Sequence, residues 1–316
     1  MIKKDTYSNQ NPTITVLVPF YNGASTILDT LISVKEQTHK KFECLILDDG
    51  SDAEQAQQLE KKIKYLDDMR FRIITGSNVG LCENLNRALA KISTPFIGRI
   101  DQDDICMPHR FERQIKVLRE RNSDCCFSGV IKFGEKKETI YRPISDLDVI
   151  QYDPKVLGGV VHSTMLVKTE ILKSLDGYDA KYYPSDDWDL TLRMAEKCLK
   201  LEYVDEALVK YRFHNSANTY RFYSRMCDSR RRSEAKFRFF ENLENKKEEK
   251  STLAKLLNFT KIRHYLKDNS KLCFRRAGGS YLDGKMVLAT YWMVISFMWH
   301  PGIYIQRLTL FYKKGS

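Results

Sequence analysis

Over its first two-thirds the chain alternates β-type apolar runs with helix-length amphipathic segments, and this rhythm restricts its fold more than any other feature. TITVLVP (13–19) leads into a helical pattern through Thr38, and FECLILD (42–48) into a helix through about Leu66. FRIIT (71–75) leads into a helix over 80–91, and PFIGRI (95–100) into one over 108–121. Strand and helix in this order make βαβ units, which build a mainly parallel sheet flanked by helices. CCFSGVIKF (125–133) and VVHSTMLV (160–167) read as further strands, and the acidic segment 186–198 as a helix. With 316 residues there is room for one large α/β domain and an appendage, and for a full core. The boundary is expected near 215–220, where RFYSRMCDSRRRSEAKFRFF opens a basic helical region, giving domains of 1–216 and 217–316.

Composition matters here chiefly through its distribution. The net charge of +11 resembles a nucleic-acid signal until it is divided along the chain. Residues 1–219 carry 31 basic and 33 acidic side chains, whereas residues 220–316 carry 21 and 8. The whole excess lies in the last third, where it suits an anionic membrane surface, an anionic polymer or a solvated helical face. The 8 cysteines are scattered without CxxC spacing, which argues for free thiols in a reducing compartment rather than a zinc ribbon or disulfide framework. The polar start, MIKKDTYSNQNP, lacks the apolar stretch of a secretory leader, so a cytoplasmic protein is expected.

In open parallel sheets, ligands collect beyond the carboxyl ends of the strands, where loops diverge and helix N-termini face the crevice. Three polar stretches fall at such ends: VPFYNG (18–23), DDGSD (48–52) and RIDQDD (99–104). Gly50 and Ser51 are turn formers in any fold, and Ser51 or Asp52 is placed to cap the next helix. Asp48 and Asp49 exceed what a turn needs, and a carboxylate at a strand end accepts from an imide N–H or ribose hydroxyls. No GxGxxG or GxxxxGKS is present, so a dinucleotide or P-loop cradle is not supported. Asp101, Asp103 and Asp104 repel one another unless a cation sits among them. Mg²⁺ or Mn²⁺ commonly takes one or two carboxylates together with phosphate oxygens and water, so the acid cluster and a diphosphate would explain each other. A third acidic group opens PSDDWDLTLRMAEK (184–197), where Ser185 can cap and the acids complement the helix dipole, and where one acid more than capping requires can serve as a general base. His214, in YRFHNS, reads as structural or as a ligand.

The blocks VLVPFYNG, DDGSD, NVGLCENLNRAL, GRIDQDDICMPHRFERQ, VHSTMLVK, DGYD, DDWDLTLR and YRFHNS occur in this order over residues 13–216. Together they resemble family 2 glycosyltransferases of the GT-A fold, of the bacterial non-processive type. The resemblance implies a Rossmann-like mixed sheet and an inverting, metal-dependent transfer of one sugar from a nucleotide-sugar, a UDP-sugar by analogy, to a hydroxyl of a glycan acceptor. It implies that Pro19 and Tyr21 line the nucleobase, that Asp49 accepts from the uracil N3–H, that Asn78 lies on the nucleotide side, and that Asp101 holds the ribose. Asp103 would bind Mn²⁺ or Mg²⁺, with His214 as a weaker ligand. Asp187 matches the general base, with Asp186 its rival because the family's usual Glu-Asp pair is Asp-Asp here, and Arg99 and Arg193 would support the site. Asp104 would stand behind the ligands or cap a helix. The QxxRW motif of processive relatives is absent.

In the last third, KMVLATYWMVISFMWHPG (285–302) holds an apolar run of about 14 residues, roughly 21 Å as a helix against a bilayer core of about 30 Å. It is too short to span, and reads as a membrane-surface foot or as a helix packed on the protein. Arg230–Arg232 offers a contact for an anionic acceptor. A foot would suit a lipid-linked acceptor in O-antigen, capsule or lipopolysaccharide synthesis, carried out at the inner face of the cytoplasmic membrane without nucleic acid. The alternatives are a metal-dependent nucleotidyltransferase, for which VPFYNGAST lacks the basic residue of a phosphate loop, and a non-enzymatic basic binding protein.

Overall fold

The structure, a computed structural model, describes residues 12–134, 139–141, 149–151, 160–213, 223–236 and 294. The elements in chain order are β1 (Ile14–Phe20), α1 (Ile27–Lys35), β2 (Phe42–Asp48), α2 (Ala53–Leu66), β3 (Phe71–Thr75) and α3 (Leu81–Leu89). There follow β4 (Phe96–Arg99), β5 (Ile105–Cys106), α4 (Arg110–Glu120), β6 (Cys125–Gly134), β7 (Thr139–Tyr141) and β8 (Val149–Gln151). A 3-10 turn (His162–Thr164) precedes β9 (Leu166–Lys168) and α5 (Thr169–Ser174). Another (Ala180–Tyr182) precedes α6 (Asp186–Glu196), β10 (Leu201–Phe213) and α7 (Tyr223–Lys236).

The strands form one mixed sheet in the order β3-β2-β1-β4-β9-β6-β10-β5, with β7 on β6 and β8 on β10. β3, β2, β1 and β4 run parallel, as do β6 and β10, while β9 runs antiparallel between β4 and β6. β1 is buried along almost its whole length because helices cover both faces, and its side chains alternate between two layers. Ile14, Val16, Val18 and Phe20 pack with Ile27 and Leu31 of α1, Leu59 of α2 and Phe111 of α4. Leu17 points the other way, into the layer of Leu85 from α3, Leu172 from α5, and Leu190 and Met194 from α6.

Register sets the strand ends at one rim. Phe20 pairs with Asp48, and Asp48 with Thr75, while Arg99 at the end of β4 pairs with Leu17. The loops carrying Tyr21, Asp49, Asn78 and Asp101 therefore leave the sheet side by side.

Three local expectations are corrected. VVHSTMLV is a strand only from Leu166, and His162–Thr164 turns instead. Its hydroxyls offer the backbone local partners, since Thr164 Oγ1 donates to Val161 O at 2.7 Å and Ser163 Oγ donates to Asp101 Oδ2 at 2.7 Å. Asp52 and Ser185 occupy the N-cap positions of α2 and α6, but neither side chain makes a capping hydrogen bond. Asp52 and Ser51 are engaged by Asn22 instead, through Asn22 Nδ2 to Asp52 Oδ2 at 2.9 Å and Asn22 N to Ser51 Oγ at 3.0 Å. Asp104 caps no helix: α4 begins at Arg110 with His109 at its N-cap position.

The chain divides into two compact units between Asn215 and Ser216. In the second, α7 pairs its charges internally, Arg230 with Glu234 at 2.8 Å and Arg231 with Asp228 at 2.9 Å, and Arg232 Nη2 donates to Ser229 Oγ at 3.1 Å. Of the expected apolar foot at 285–314, Val294 alone is among the described residues.

Candidate functional site

The loops at the rim are laced to one another by hydrogen bonds. Asp49 spreads its carboxylate across the β3–α3 loop, where Oδ1 accepts from Val79 N and Oδ2 from Gly80 N, each at 2.9 Å. Each oxygen keeps a lone pair for a further donor. Asn78 lies against the turn of Gly50, which has φ +70 and where a Cβ would stand 2.6 Å from Asn78 N. Only glycine tolerates both the left-handed backbone and that approach. Pro19 sits near the end of β1, and Tyr21 just beyond it is 49% exposed. Its ring is a large apolar surface left open at the rim.

The acidic loop after β4 is fixed from below. Arg99 is buried, its N–H donates to Met165 O at 3.0 Å, and its carbonyl accepts from Arg110 Nη2 at 2.8 Å. Arg110 is wholly buried, and Nη2 also donates to Met165 O at 3.1 Å, so one guanidinium ties the end of β4 to the start of β9. Arg99 Nη1 lies 2.6 Å from Asp101 Oδ1, outside the hydrogen-bonding direction, and its Nε is buried without a hydrogen-bond partner. Burial works to raise the Asp101 carboxyl, but the Arg99 guanidinium and the Ser163 hydroxyl hold it below the usual carboxylate range. Asp101 is thus a fixed anion. Arg212 of β10 pins the next two acids, Nε donating to Asp103 O and the backbone N–H to Asp104 Oδ1, both at 2.8 Å. Asp104 is fully buried, and burial together with Asp101 and Asp103 pushes its carboxyl well above the ordinary value.

Asp103 is half-buried on this loop. Among the described residues no group of three or more His, Cys, Asp or Glu side chains forms a metal cage. The oxygen chemistry fits a hard cation arriving with a diphosphate, since Mg²⁺ and Mn²⁺ accept one carboxylate with phosphate and water completing the shell. His214 lies outside the described residues.

α6 brings the remaining acids to the same crevice. Leu190, Leu192 and Met194 bury its inner face, and Arg193 Nε pairs with fully buried Asp189 at 2.7 Å while Nη1 donates to Leu175 O at 2.6 Å. Asp186 and Asp187 open its first turn. Asp186 is buried, and its carboxyl is raised by that burial. Asp187 is more open, and burial of its carboxyl and the neighbouring Asp186 raise it to about 7, against the pull of Trp188 N–H and Arg99. Behind Arg99, His162 Nε2 lies 2.9 Å from Tyr178 OH, and burial followed by the Arg99 charge lowers His162 to about 3, which keeps it neutral.

The residues singled out from the sequence therefore converge: Pro19, Tyr21, Asp49, Asn78, Asp101 and Asp103 at the rim, Arg99 beneath it, and Asp186, Asp187 and Arg193 on α6. Gln102, Ser163, Arg110, Arg212 and the His162–Tyr178 pair were not singled out. Each lies inside a block already notable for its acids or its order, so the signal was their place in those blocks.

Residues 15–176 match the family model described as Glycosyl transferase family 2. A curated protein of Methanocaldococcus jannaschii, called an uncharacterized glycosyltransferase, is 30% identical over 213 residues, covering 66% of this chain and 73% of the relative. The O-antigen biosynthesis glycosyltransferase WbnJ of Escherichia coli is 28% identical over 193 residues, covering 58% and 73%. Among solved structures, S. aureus TarS 1-349 in complex with UDP-GlcNAc aligns with a TM-score of 0.58 at 17% identity, over 90% of this chain and 91% of that one.

Proposed function

The chain belongs to glycosyl transferase family 2, and on that premise we propose that it moves one sugar from a UDP-sugar, with inversion at the anomeric carbon, to a hydroxyl of a glycan acceptor. The observation that carries this reading is Asp187: a half-buried carboxylate raised to about 7, in electrostatic reach of Asp101 and Arg99 at the rim. A base with that proton affinity is matched to a hydroxyl near neutral pH.

In the proposed reaction the nucleobase lies against Tyr21 and donates its imide N–H to the open lone pairs of Asp49. Asp101, held ionised by Arg99 and Ser163, accepts from the ribose hydroxyls. The acceptor oxygen attacks the anomeric carbon on the face opposite UDP, its proton passes to Asp187, and the bond from that carbon to the diphosphate oxygen breaks. Asp103 would hold a divalent cation, which would supply charge neutralisation for the departing diphosphate. An α-linked donor then gives a β-linked product, and no covalent nucleophile is required. Asp186, buried where Asp187 is half-buried, is the less accessible of the two acids.

The uridine donor is supported by the Asp49 and Tyr21 geometry and by TarS, whose structures hold UDP and UDP-GlcNAc. A surface-polysaccharide acceptor is supported by WbnJ, named for O-antigen biosynthesis. A lipid-linked acceptor met at an anionic membrane surface is supported by the basic last third. Among the described residues no helix is long and apolar enough to cross a membrane.

The test is transfer from a panel of nucleotide-sugars, with and without Mn²⁺ or Mg²⁺, to acceptors free in solution and in anionic vesicles. One UDP-sugar is expected to be turned over only with the cation, faster on vesicles, with Asp103→Ala losing about 100-fold or more in kcat/KM, as loss of charge stabilisation in a transition state does. Turnover of another nucleotide's sugar, or full activity in Asp103→Ala, contradicts the donor-site reading. Equal rates with free acceptor remove the membrane arm.

A further inference from the structure

Of the two faces of the Tyr21 loop, one is held by the loop after β2. Asn22, with φ 49, donates through Nδ2 to Asp52 and through its backbone to Ser51, and accepts from Asp52 N at 2.9 Å. Among the described residues the other face is held by one side chain. Gln102, between the two acids Asp101 and Asp103, accepts from Tyr21 N through Oε1 at 3.0 Å and donates from Nε2 to Tyr21 O at 3.3 Å. The reversed amide would set donor against donor and acceptor against acceptor, so this orientation follows from the peptide it grips. Gly23 makes the grip possible. A Cβ there would collide with Gln102 Cδ and Oε1 and lie 2.5 Å from Nε2.

We infer that Gln102 is a positioning residue for the nucleobase: its amide clips the Tyr21 peptide to the acidic loop and fixes the angle at which the Tyr21 ring meets the donor base. The inference rests on the proposed uridine donor. It joins the two ends of that donor through one side chain, because the loop that carries the diphosphate acids also sets the aromatic platform for the base. An exposed aromatic at a loop tip is costly to order, and a clip that orders it beforehand leaves less entropy to be lost on binding.

Gln102 acts through Tyr21, so the test reads base binding without phosphate or metal. Uridine binding by ligand-observed NMR and UDP binding with Mn²⁺ by calorimetry are measured for wild type, Gln102→Ala, Gln102→Glu, Gly23→Ala and the Gln102→Ala/Gly23→Ala double variant. Losing two neutral hydrogen bonds that preorder the loop predicts a loss of about five- to tenfold for Gln102→Ala, equal for uridine and for UDP. Gln102→Glu keeps the acceptor for Tyr21 N but sets its second carboxylate oxygen against Tyr21 O, so its uridine affinity falls at least as far as that of Gln102→Ala. Gly23→Ala displaces the amide and weakens uridine as much as Gln102→Ala, and the double variant is no weaker than Gln102→Ala, because the added methyl then has nothing to displace.

Wild-type uridine affinity in Gln102→Ala overturns the inference, as does a loss confined to UDP with Mn²⁺, which would assign Gln102 to the acidic loop alone. Multiplying losses in the double variant overturn the link to Gly23 and with it the clip. A wild-type protein that binds neither uridine nor UDP overturns the donor reading itself, and this inference falls with it. The folded melting transition of each variant is recorded beside these values. Should Gln102→Ala not fold, Gly23→Ala and Gln102→Glu carry the same comparison.

Discussion

At the scale of single residues, the site works by setting unlike proton affinities on neighbouring carboxyls. Asp101 is held below the ordinary range by Arg99 and Ser163, while Asp187 is raised to about 7 by burial and by Asp186. A raised carboxyl must lose its proton before it can act as a base, so kcat/KM should fall on the acid side with an apparent pKa near 7, not near 4. Arg99 favours the ionised form of Asp187, and its removal disfavours it, so Arg99→Gln should move that limb upward by about one pH unit while also weakening donor binding through Asp101. Initial rates from pH 5.5 to pH 8.5 decide the matter; a limb near pH 4 in the wild type, or one that does not move in Arg99→Gln, contradicts the assignment. Asp187 was legible in the sequence as an acid beyond what capping needs. Its raised proton affinity was not, because burial and the approach of Arg99 from β4 are facts of packing between elements more than 80 residues apart.

At the scale of elements, α6 can present Asp187 as the proposed base only if its first turn is held still. Leu190 and Met194 bury its inner face, but the polar anchor is the Arg193–Asp189 pair, with Asp189 fully buried and Arg193 also on Leu175 O. Arg193→Met removes the guanidinium from a buried carboxylate and should cost about 3–5 kcal/mol in urea unfolding. A smaller loss of kcat than of stability would then show that the remaining packing still holds the turn, whereas an unchanged unfolding midpoint contradicts the anchoring role. The βαβ core was legible because period and length agree there: continuous apolar runs of strand length stand between amphipathic segments of helix length. The region around 160–168 was less so. Its apolar and β-branched residues read as a strand, but Ser163 and Thr164 turn the chain through their hydroxyls, and the partner that Ser163 meets, Asp101, is distant in sequence. Capping was misread for a related reason, since Ser51 and Asp52 satisfy Asn22 across the rim in place of their own helix.

At the scale of the whole molecule, a nearly neutral first two-thirds and a strongly basic last third share one chain. The family match covers 15–176 and stops before α6, whose Asp187 lies in electrostatic reach of Arg99 inside the matched segment. The convergence of three strand-end loops was legible from topology alone, because parallel strands put their carboxyl ends on one edge. The lacing of those loops by Gln102, Asn22 and Asp49 was not, since it depends on side-chain directions that no periodicity reports. The central claim is that Asp187 takes the acceptor's proton while the rim alone holds the donor. Single-turnover transfer and UDP affinity, measured together for wild type, Asp187→Asn and Asp186→Asn, test it most directly. The account predicts that Asp187→Asn binds UDP within about twofold of wild type and loses about 100-fold or more in transfer, as removal of a general base does, with Asp186→Asn less affected. Transfer at the wild-type rate in Asp187→Asn, or a larger loss in Asp186→Asn, would contradict it.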